Sequence, residues 1–153
     1  MSRIVAIAWA RLAGERPRAA GCNARLGEHG RKVSPGVALV LCNDGLAGWG
    51  WSHISREEAE RLLGVDLETV VAARRGIVAS YRAIEYPLLD LLGKRAGLPV
   101  YALVSDRRPT PGAPLQVPCY DTSLYMDDLH LTDDAAAADW MAAEAAEGWA
   151  RGH

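Results

Sequence analysis

The sequence predicts an α+β fold, in which a three-stranded antiparallel meander precedes a helical bundle. Up to Trp51 the chain holds three β-leaning runs, separated by a glycine-rich stretch and by an Asn-Asp-Gly turn. Beyond Trp51 the apolar residues recur at three- and four-residue intervals and helix-capping signals appear. A proline-rich linker at 106–118 then leads to one more strand and one more helix. Such a pair does not make a domain by itself.

The strands are predicted from β-branched and apolar runs. Arg3–Leu12 is the first strand, and 13–34 is a long loop rich in glycine, proline and basic residues. Val37–Cys42 and Leu46–Trp51 flank the sequence Asn43-Asp44-Gly45, which is a strong hairpin signal.

The first helices are predicted from their caps. Ser55 and Glu58 form a capping box before a short helix that ends at Leu63. We expect a second helix over Leu67–Arg75, which Gly76 closes.

The longest helical stretch is Ile77–Ala96, which Gly97 and Pro99 terminate. Pro87 inside it removes a hydrogen bond and is predicted to kink the helix or to split it in two.

The C-terminal elements are predicted from the same rules. Val117–Leu124 is a strand, and Thr132 caps a helix over Asp133–Glu147 that Gly148 closes.

Charge is distributed unevenly around a net charge of −2. Residues 1–35 carry seven basic and two acidic groups, whereas 121–153 carry one basic and eight acidic. The basic residues of the glycine-rich loop suggest an anion-binding segment, and two solvated surfaces of opposite sign are the alternative. The slightly acidic chain without interleaved aromatic and basic residues argues against a nucleic-acid partner.

The cysteines and the hydropathy pattern indicate the compartment. Cys22, Cys42 and Cys119 form no CxxC pair, so they are expected to be free thiols in a reducing environment. No secretory leader and no apolar run of membrane-spanning length is visible. We therefore expect a cytoplasmic protein with no membrane partner.

Three sequence runs carry a family resemblance. The run D-L-L-G-K-R-A-G-L-P-V-Y at 90–101 is specific, and G-L-A-G-W-G at 45–50 and V-P-C-Y-D-T-S at 117–123 accompany it. Together they resemble the enolase superfamily, in its mandelate racemase and muconate lactonizing enzyme branch. The resemblance implies a capping domain at 1–113 and the first strand and helix of a truncated (β/α) barrel at 114–153.

The resemblance also implies a function. The chain would be the N-terminal substrate-capping portion of a Mg²⁺-dependent racemase or acid-sugar dehydratase, which removes a proton α to a carboxylate. Its substrate would be a small carboxylate or acid sugar, and we expect a homo-oligomer. The family's Lys or His bases and its metal carboxylates would follow His153, so the resemblance places no catalytic residue and no metal ligand in this chain. The chain alone is therefore expected to be inactive.

Candidate substrate-binding residues lie on two loops that the resemblance places at the barrel mouth. Arg25 and His29 could pair with a substrate carboxylate or hydroxyl, with solvated loop charge as the alternative. Trp49 and Trp51 alternate with glycines and so share one strand face. One is predicted to be core, and Trp51 to line the pocket. His53 follows, as a substrate contact or a surface histidine.

Tyr120 and Asp121 lie on the expected first barrel strand. The family places no metal ligand on this strand, so the resemblance favours a supporting role behind the residues that touch substrate or metal.

Two other interpretations stay open. The chain could be a stand-alone, non-catalytic binding or oligomerisation module, or a small α+β domain that binds an acid sugar by itself.

Overall fold

The computed structural model describes residues 1–17, 22–23, 27–28, 30–72, 76–103, 116–118 and 131–152. The chain divides into two compact units. The first comprises Met1–Ala13 and Ser34–Ala113, and the second comprises Gly14–Val33 and Pro114–His153.

The secondary structure of the described residues is mixed, as predicted. The strands are β1 (Ile4–Arg11), β2 (Gly14–Glu15), β3 (Cys22–Asn23), β4 (Gly27–Glu28), β5 (Lys32–Val33), β6 (Gly36–Cys42), β7 (Ala47–Trp51), β8 (Val71–Ala72) and β9 (Gly76–Ile77). The α-helices are α1 (Arg56–Leu62), α2 (Glu85–Ala96), α3 (Val100–Leu103) and α4 (Asp134–Ala150), with 3-10 turns at Leu67–Thr69 and Ala79–Ile84.

The predicted three-stranded meander is confirmed. Its strands lie in the order β1-β6-β7, and both pairings are antiparallel. The turn at Asn43–Gly45 joins β6 to β7, and Gly45 has a φ of +83°, which glycine adopts without strain.

One face of this sheet packs against α2 and forms the core of the first unit. Val40 on β6 and Leu88 and Leu91 on α2 are fully buried. Cys42 lies in the same core, and burial raises the pKa of its thiol above the ordinary value. The thiol therefore serves as a small apolar group.

The predicted capping box of α1 is confirmed. The Ser55 hydroxyl accepts a hydrogen bond from the Glu58 N–H at 3.2 Å, and the Glu58 carboxylate accepts one from the Ser55 N–H at 2.8 Å. These two bonds satisfy backbone donors that the first turn of a helix leaves without partners.

The expected second helix over Leu67–Arg75 is wrong. A 3-10 turn at Leu67–Thr69 gives way to β8, which pairs antiparallel with β9. Gly76 has a φ of +75°, which glycine adopts without strain, at the start of the strand that runs back along β8. Two adjacent β-branched residues, Val70 and Val71, also fit a strand better than a helix interior.

The split at Pro87 is confirmed. A 3-10 turn ends at Ile84, and α2 begins at Glu85, which puts Pro87 in the first helical turn. A missing N–H costs no hydrogen bond there. Gly97 ends α2 in the left-handed conformation, with a φ of +64°.

The stretch 13–34 is more regular than a simple loop. β2 pairs with β5, and β3 pairs with β4, each in antiparallel register. The prediction of an irregular loop is therefore wrong for these residues.

The cap and the end of α4 differ from the prediction. Asp133, not Thr132, is the N-cap, and its carboxylate accepts a hydrogen bond from the Ala136 N–H at 2.8 Å. The helix also continues past Gly148 to Ala150. Most of the strand expected at Val117–Leu124 lies outside the described residues.

Candidate functional site

The C-terminal end of β7 carries the candidate site in the described part of the chain. Trp51 is 67% exposed, and its indole meets the ring of Tyr86 edge-on, with 6.2 Å between the ring centroids. Tyr86 is itself 58% exposed. The pair forms an open aromatic wall, because neither ring is buried in the core.

The residues after Trp51 are held by hydrogen bonds to main-chain groups. The Ser52 hydroxyl donates to the Ala83 carbonyl at 2.7 Å and accepts from the Ile54 N–H at 3.1 Å. The His53 N–H also donates to the Ala83 carbonyl, at 3.3 Å. His53 is therefore anchored by its backbone, while its side chain is exposed.

Two glycines bring β7 unusually close to α2. A Cβ atom on Gly48 would lie 2.1 Å from the Pro87 carbonyl oxygen, and one on Gly50 would lie 2.7 Å from the Tyr86 Cβ. Only glycine fits either position without a shift of α2. This close approach brings Trp51 within reach of Tyr86.

Asp90 and Lys94 fasten the same strand to the helix. The Asp90 carboxylate accepts from the Trp49 N–H at 2.9 Å and from the Lys94 ammonium at 2.8 Å. Lys94 also donates to the Ala47 carbonyl at 2.9 Å. Polar groups of an edge strand that would otherwise be open thereby find partners on α2.

This arrangement shifts the titration of Asp90. Partial burial acts to raise the pKa of the carboxyl, but the hydrogen bonds from Lys94 and Trp49 and the Lys94 charge outweigh it. The net result is a pKa of the Asp90 carboxyl below its ordinary value, so Asp90 is a carboxylate at neutral pH.

Two of the six predicted site residues lie in the described part of the chain. Trp51 and His53 lie two positions apart at the end of β7, whereas Arg25, His29, Tyr120 and Asp121 lie outside the described residues. The prediction that one of Trp49 and Trp51 is core is wrong, because Trp49 is also 60% exposed. Gly48 and Gly50 face α2, so Trp49 and Trp51 leave β7 on its other side, and Trp51 meets α2 only through the exposed ring of Tyr86.

The contact of Tyr86 with Trp51 was not predicted from the sequence. A signal was present, since Tyr86 immediately precedes Pro87, which lies in the first turn of α2. Asp90 and Lys94 were recognised within a motif, but their contacts with β7 were not foreseen.

Two kinds of site are absent from the described residues. No group of three or more His, Cys, Asp or Glu side chains in the described ranges is arranged to hold a metal ion. None of the described helices has the length and apolar character needed to cross a membrane.

Solved structures similar to this chain identify its family. A galacturonate dehydratase from Geobacillus sp., complexed with Mg, shares 45% identity over 99% of this chain, with a TM-score of 0.83. A mandelate racemase/muconate lactonizing protein from Geobacillus sp. Y412MC10, complexed with magnesium and tartrate, also shares 45% identity, with a TM-score of 0.84. The chain belongs to the enolase superfamily, in the mandelate racemase and muconate lactonizing enzyme branch.

The match covers only part of these enolase-superfamily proteins. This chain spans 40% of the length of each of the two. A further Geobacillus galacturonate dehydratase structure, complexed with D-galacturonate and 5-keto-4-deoxy-D-galacturonate, shares 44% identity and a TM-score of 0.81.

More distant enolase-superfamily structures show the fold alone. A dipeptide epimerase from Enterococcus faecalis V583 shares 15% identity and a TM-score of 0.53 over 68% of this chain. No protein-family profile and no curated protein sequence matches the chain.

Family membership gives the motif at 90–101 a physical meaning. The side chains of Asp90 and Lys94 form hydrogen bonds to the backbone of β7. Gly93 leaves room for the chain that follows the helix, because a Cβ atom on it would lie 2.9 Å from the Leu98 carbonyl oxygen. Gly97 ends the helix. The motif therefore docks α2 on the sheet and turns the chain after it.

Proposed function

We propose that this chain is the N-terminal substrate-capping portion of a Mg²⁺-dependent dehydratase that acts on an acid sugar of the hexuronate class. The observation that supports it best is the 45% identity to a galacturonate dehydratase across 99% of this chain. In this proposal residues 1–113 form the capping domain, and 114–153 begin the barrel. The reaction removes a proton α to the substrate carboxylate and expels water.

The described residues suit the task of enclosing a sugar acid. Trp51 and Tyr86 offer an aromatic surface to the C–H face of the sugar, and the exposed His53 offers a hydrogen bond to a hydroxyl or carboxylate. Arg25 and His29 would add positive charge for the carboxylate. Tyr120 and Asp121 would support the residues that touch substrate.

Mg²⁺ enters the proposal through the related structures that contain it. The described residues offer no ligand cluster for the ion, so no step is assigned to it in this chain. When bound to the whole enzyme, the ion would stabilise negative charge that develops on the substrate carboxylate.

The test of the proposed function is turnover by the protein encoded by the complete gene. We expect D-galacturonate with Mg²⁺ to yield a product lighter by one water, detected by mass spectrometry, and we expect EDTA to abolish it. Screening a panel of hexuronates and tartrate would locate the substrate if galacturonate is not turned over. Saturable binding of these acids without water loss from any of them would favour a non-catalytic binding module instead.

The substrate role of Trp51 is tested with a matched pair of substitutions. Trp51→Leu is expected to raise KM about fivefold with little change in kcat, because the loss of one aromatic contact costs about 1 kcal/mol. Trp9→Leu makes the same replacement on the opposite face of the sheet and is expected to leave KM unchanged. Equal KM values for the wild type and Trp51→Leu would remove Trp51 from the site.

A further inference from the structure

Ser52 joins the two chain segments that carry the candidate site. Trp51 and His53 flank it in sequence, whereas Tyr86 lies three positions after Ala83, to which Ser52 is bonded. The Ser52 hydroxyl donates to the Ala83 carbonyl oxygen at 2.7 Å, across 31 positions of sequence. This hydrogen bond therefore links two segments that local structure alone does not hold together.

The Ser52 hydroxyl uses both of its hydrogen-bonding roles. Besides donating to the Ala83 carbonyl, it accepts from the Ile54 N–H at 3.1 Å. Both bonds are partly buried, and water replaces a lost partner less readily there than at an exposed site. Removal of the hydroxyl is therefore expected to loosen the segment around Ser52.

The backbone of Ser52 is fixed on the side of the sheet. Its N–H donates to the Gly36 carbonyl oxygen at 3.0 Å, which continues the pairing of β6 with β7 by one residue. A Cβ atom on Gly36 would lie 2.3 Å from the Ser52 carbonyl oxygen, so the two backbones are in close contact. The sheet thus sets the position from which the hydroxyl reaches the 3-10 turn.

The segment on the other side leads directly to Tyr86. The 3-10 turn at Ala79–Ile84 passes into α2, and neither element begins with a side-chain cap. The Ala83 carbonyl near this junction accepts both the Ser52 hydroxyl and the His53 N–H, the latter at 3.3 Å. Tyr86 is therefore located by its packing on Gly50 and by the hydrogen bonds at Ala83.

We propose that Ser52 is a positioning residue that holds Trp51 and His53 in a fixed relation to Tyr86, an inference that rests on the proposed function. The two aromatic rings are more than half exposed, so contacts behind them have to maintain the edge-on arrangement. A ligand that binds a preformed surface does not have to order it first. The hydroxyl thereby lowers KM without touching the substrate.

Kinetics of the protein encoded by the complete gene test this role. We expect Ser52→Ala to raise KM for the hexuronate substrate about threefold with little change in kcat, because the surface acts on binding. Ser52→Thr keeps the hydroxyl and is expected to restore the wild-type KM. Ser55→Ala is the matched control, since it also removes a hydroxyl with a backbone partner but lies in the capping box of α1, and it should leave KM unchanged.

Near-ultraviolet circular dichroism of the same proteins reports the geometry of the two rings without substrate. Trp51→Leu identifies the band that the contact of Trp51 with Tyr86 contributes. Ser52→Ala is expected to weaken this band, whereas Ser52→Thr and Ser55→Ala should keep it. Far-ultraviolet dichroism checks folding, and Ser52→Cys, of similar size but with a weaker donor, takes the place of an unfolded Ser52→Ala.

The outcomes separate this inference from the proposed function. A wild type that turns over none of the hexuronates would contradict the proposed function, and the near-ultraviolet band would then decide the role of Ser52 by itself. An unchanged band, or an unchanged KM in an active enzyme, would overturn the positioning role of Ser52. Equal effects of Ser52→Ala and Ser55→Ala would also overturn it, because they would reflect a general loss of stability.

Discussion

At the scale of single residues, the hydrogen bonds of Asp90 determine the position of the candidate site. Its carboxylate bonds both the Trp49 N–H and the Lys94 ammonium, and thereby fixes the strand that leads to Trp51 and His53. A side chain that touches no substrate can in this way decide where the substrate-facing residues lie. We therefore regard Asp90 as a positioning residue.

Replacement of Asp90 by Asn should make stability depend less on pH. The folded-state pKa is lowered, so the carboxylate stabilises the fold fully above about pH 4, the ordinary value in an unfolded chain, and loses this effect as the pH falls through the folded value. Because the pair is partly exposed, we expect Asp90→Asn to lose only about 1 kcal/mol at pH 7.

Urea unfolding at pH 7 and at about pH 2 measures the effect, which should be smaller at the lower pH because the carboxylate takes up a proton there. Glu60→Gln removes an exposed carboxylate of α1 and serves as the control, with no comparable loss. A deficit of Asp90→Asn that persists unchanged at acid pH would show that the charge is not its cause.

At the scale of elements, the docking of α2 on β7 depends on the absence of side chains. Gly48→Ala would place a methyl group 2.1 Å from the Pro87 carbonyl oxygen and 2.6 Å from the Leu91 Cβ. Neither atom is the end of a flexible side chain, so the helix must move, and we expect a loss of about 3 kcal/mol or more in the free energy of unfolding.

Gly14→Ala is the control for this substitution. It also alters a strand glycine, but its Cβ would meet only Val33 Cγ2, at an ordinary 3.4 Å. Chemical denaturation should show a change within about 0.5 kcal/mol for the control. Similar losses for the two variants would mean that the close approach of β7 to α2 does not govern stability.

The elements that the sequence predicts well are those with local causes. The Asn43–Gly45 turn, the Ser55–Glu58 capping box and the break at Pro87 each depend on residues within one turn of the chain. The stretch after Leu67 is different, because β8 and β9 form by pairing with each other and the helix signal there is only a weak preference. For α4, adjacent Thr132 and Asp133 are both good caps, and only the backbone geometry decides between them.

The candidate site likewise has features with local causes, which the sequence predicts, and features that depend on tertiary packing, which it does not. Trp51 and His53 are found from their position at a strand end, but the contact of Trp51 with Tyr86 joins residues that are 35 positions apart in sequence. That contact depends on how closely the helix packs on Gly50, which is a property of tertiary structure. Periodicity along one strand cannot report it.

At the scale of the whole molecule, the proposed function divides the work between this chain and the rest of the enzyme. The chain spans 40% of the length of the two Geobacillus proteins, and its described residues hold no cluster of metal ligands. We therefore expect the 153 residues alone to release no water from D-galacturonate in the presence of Mg²⁺, whereas the protein encoded by the complete gene should do so. Mass spectrometry of the two reaction mixtures makes the comparison. Loss of water catalysed by the 153 residues alone would show that the reacting groups lie within this chain, against the proposed role of a substrate-capping portion.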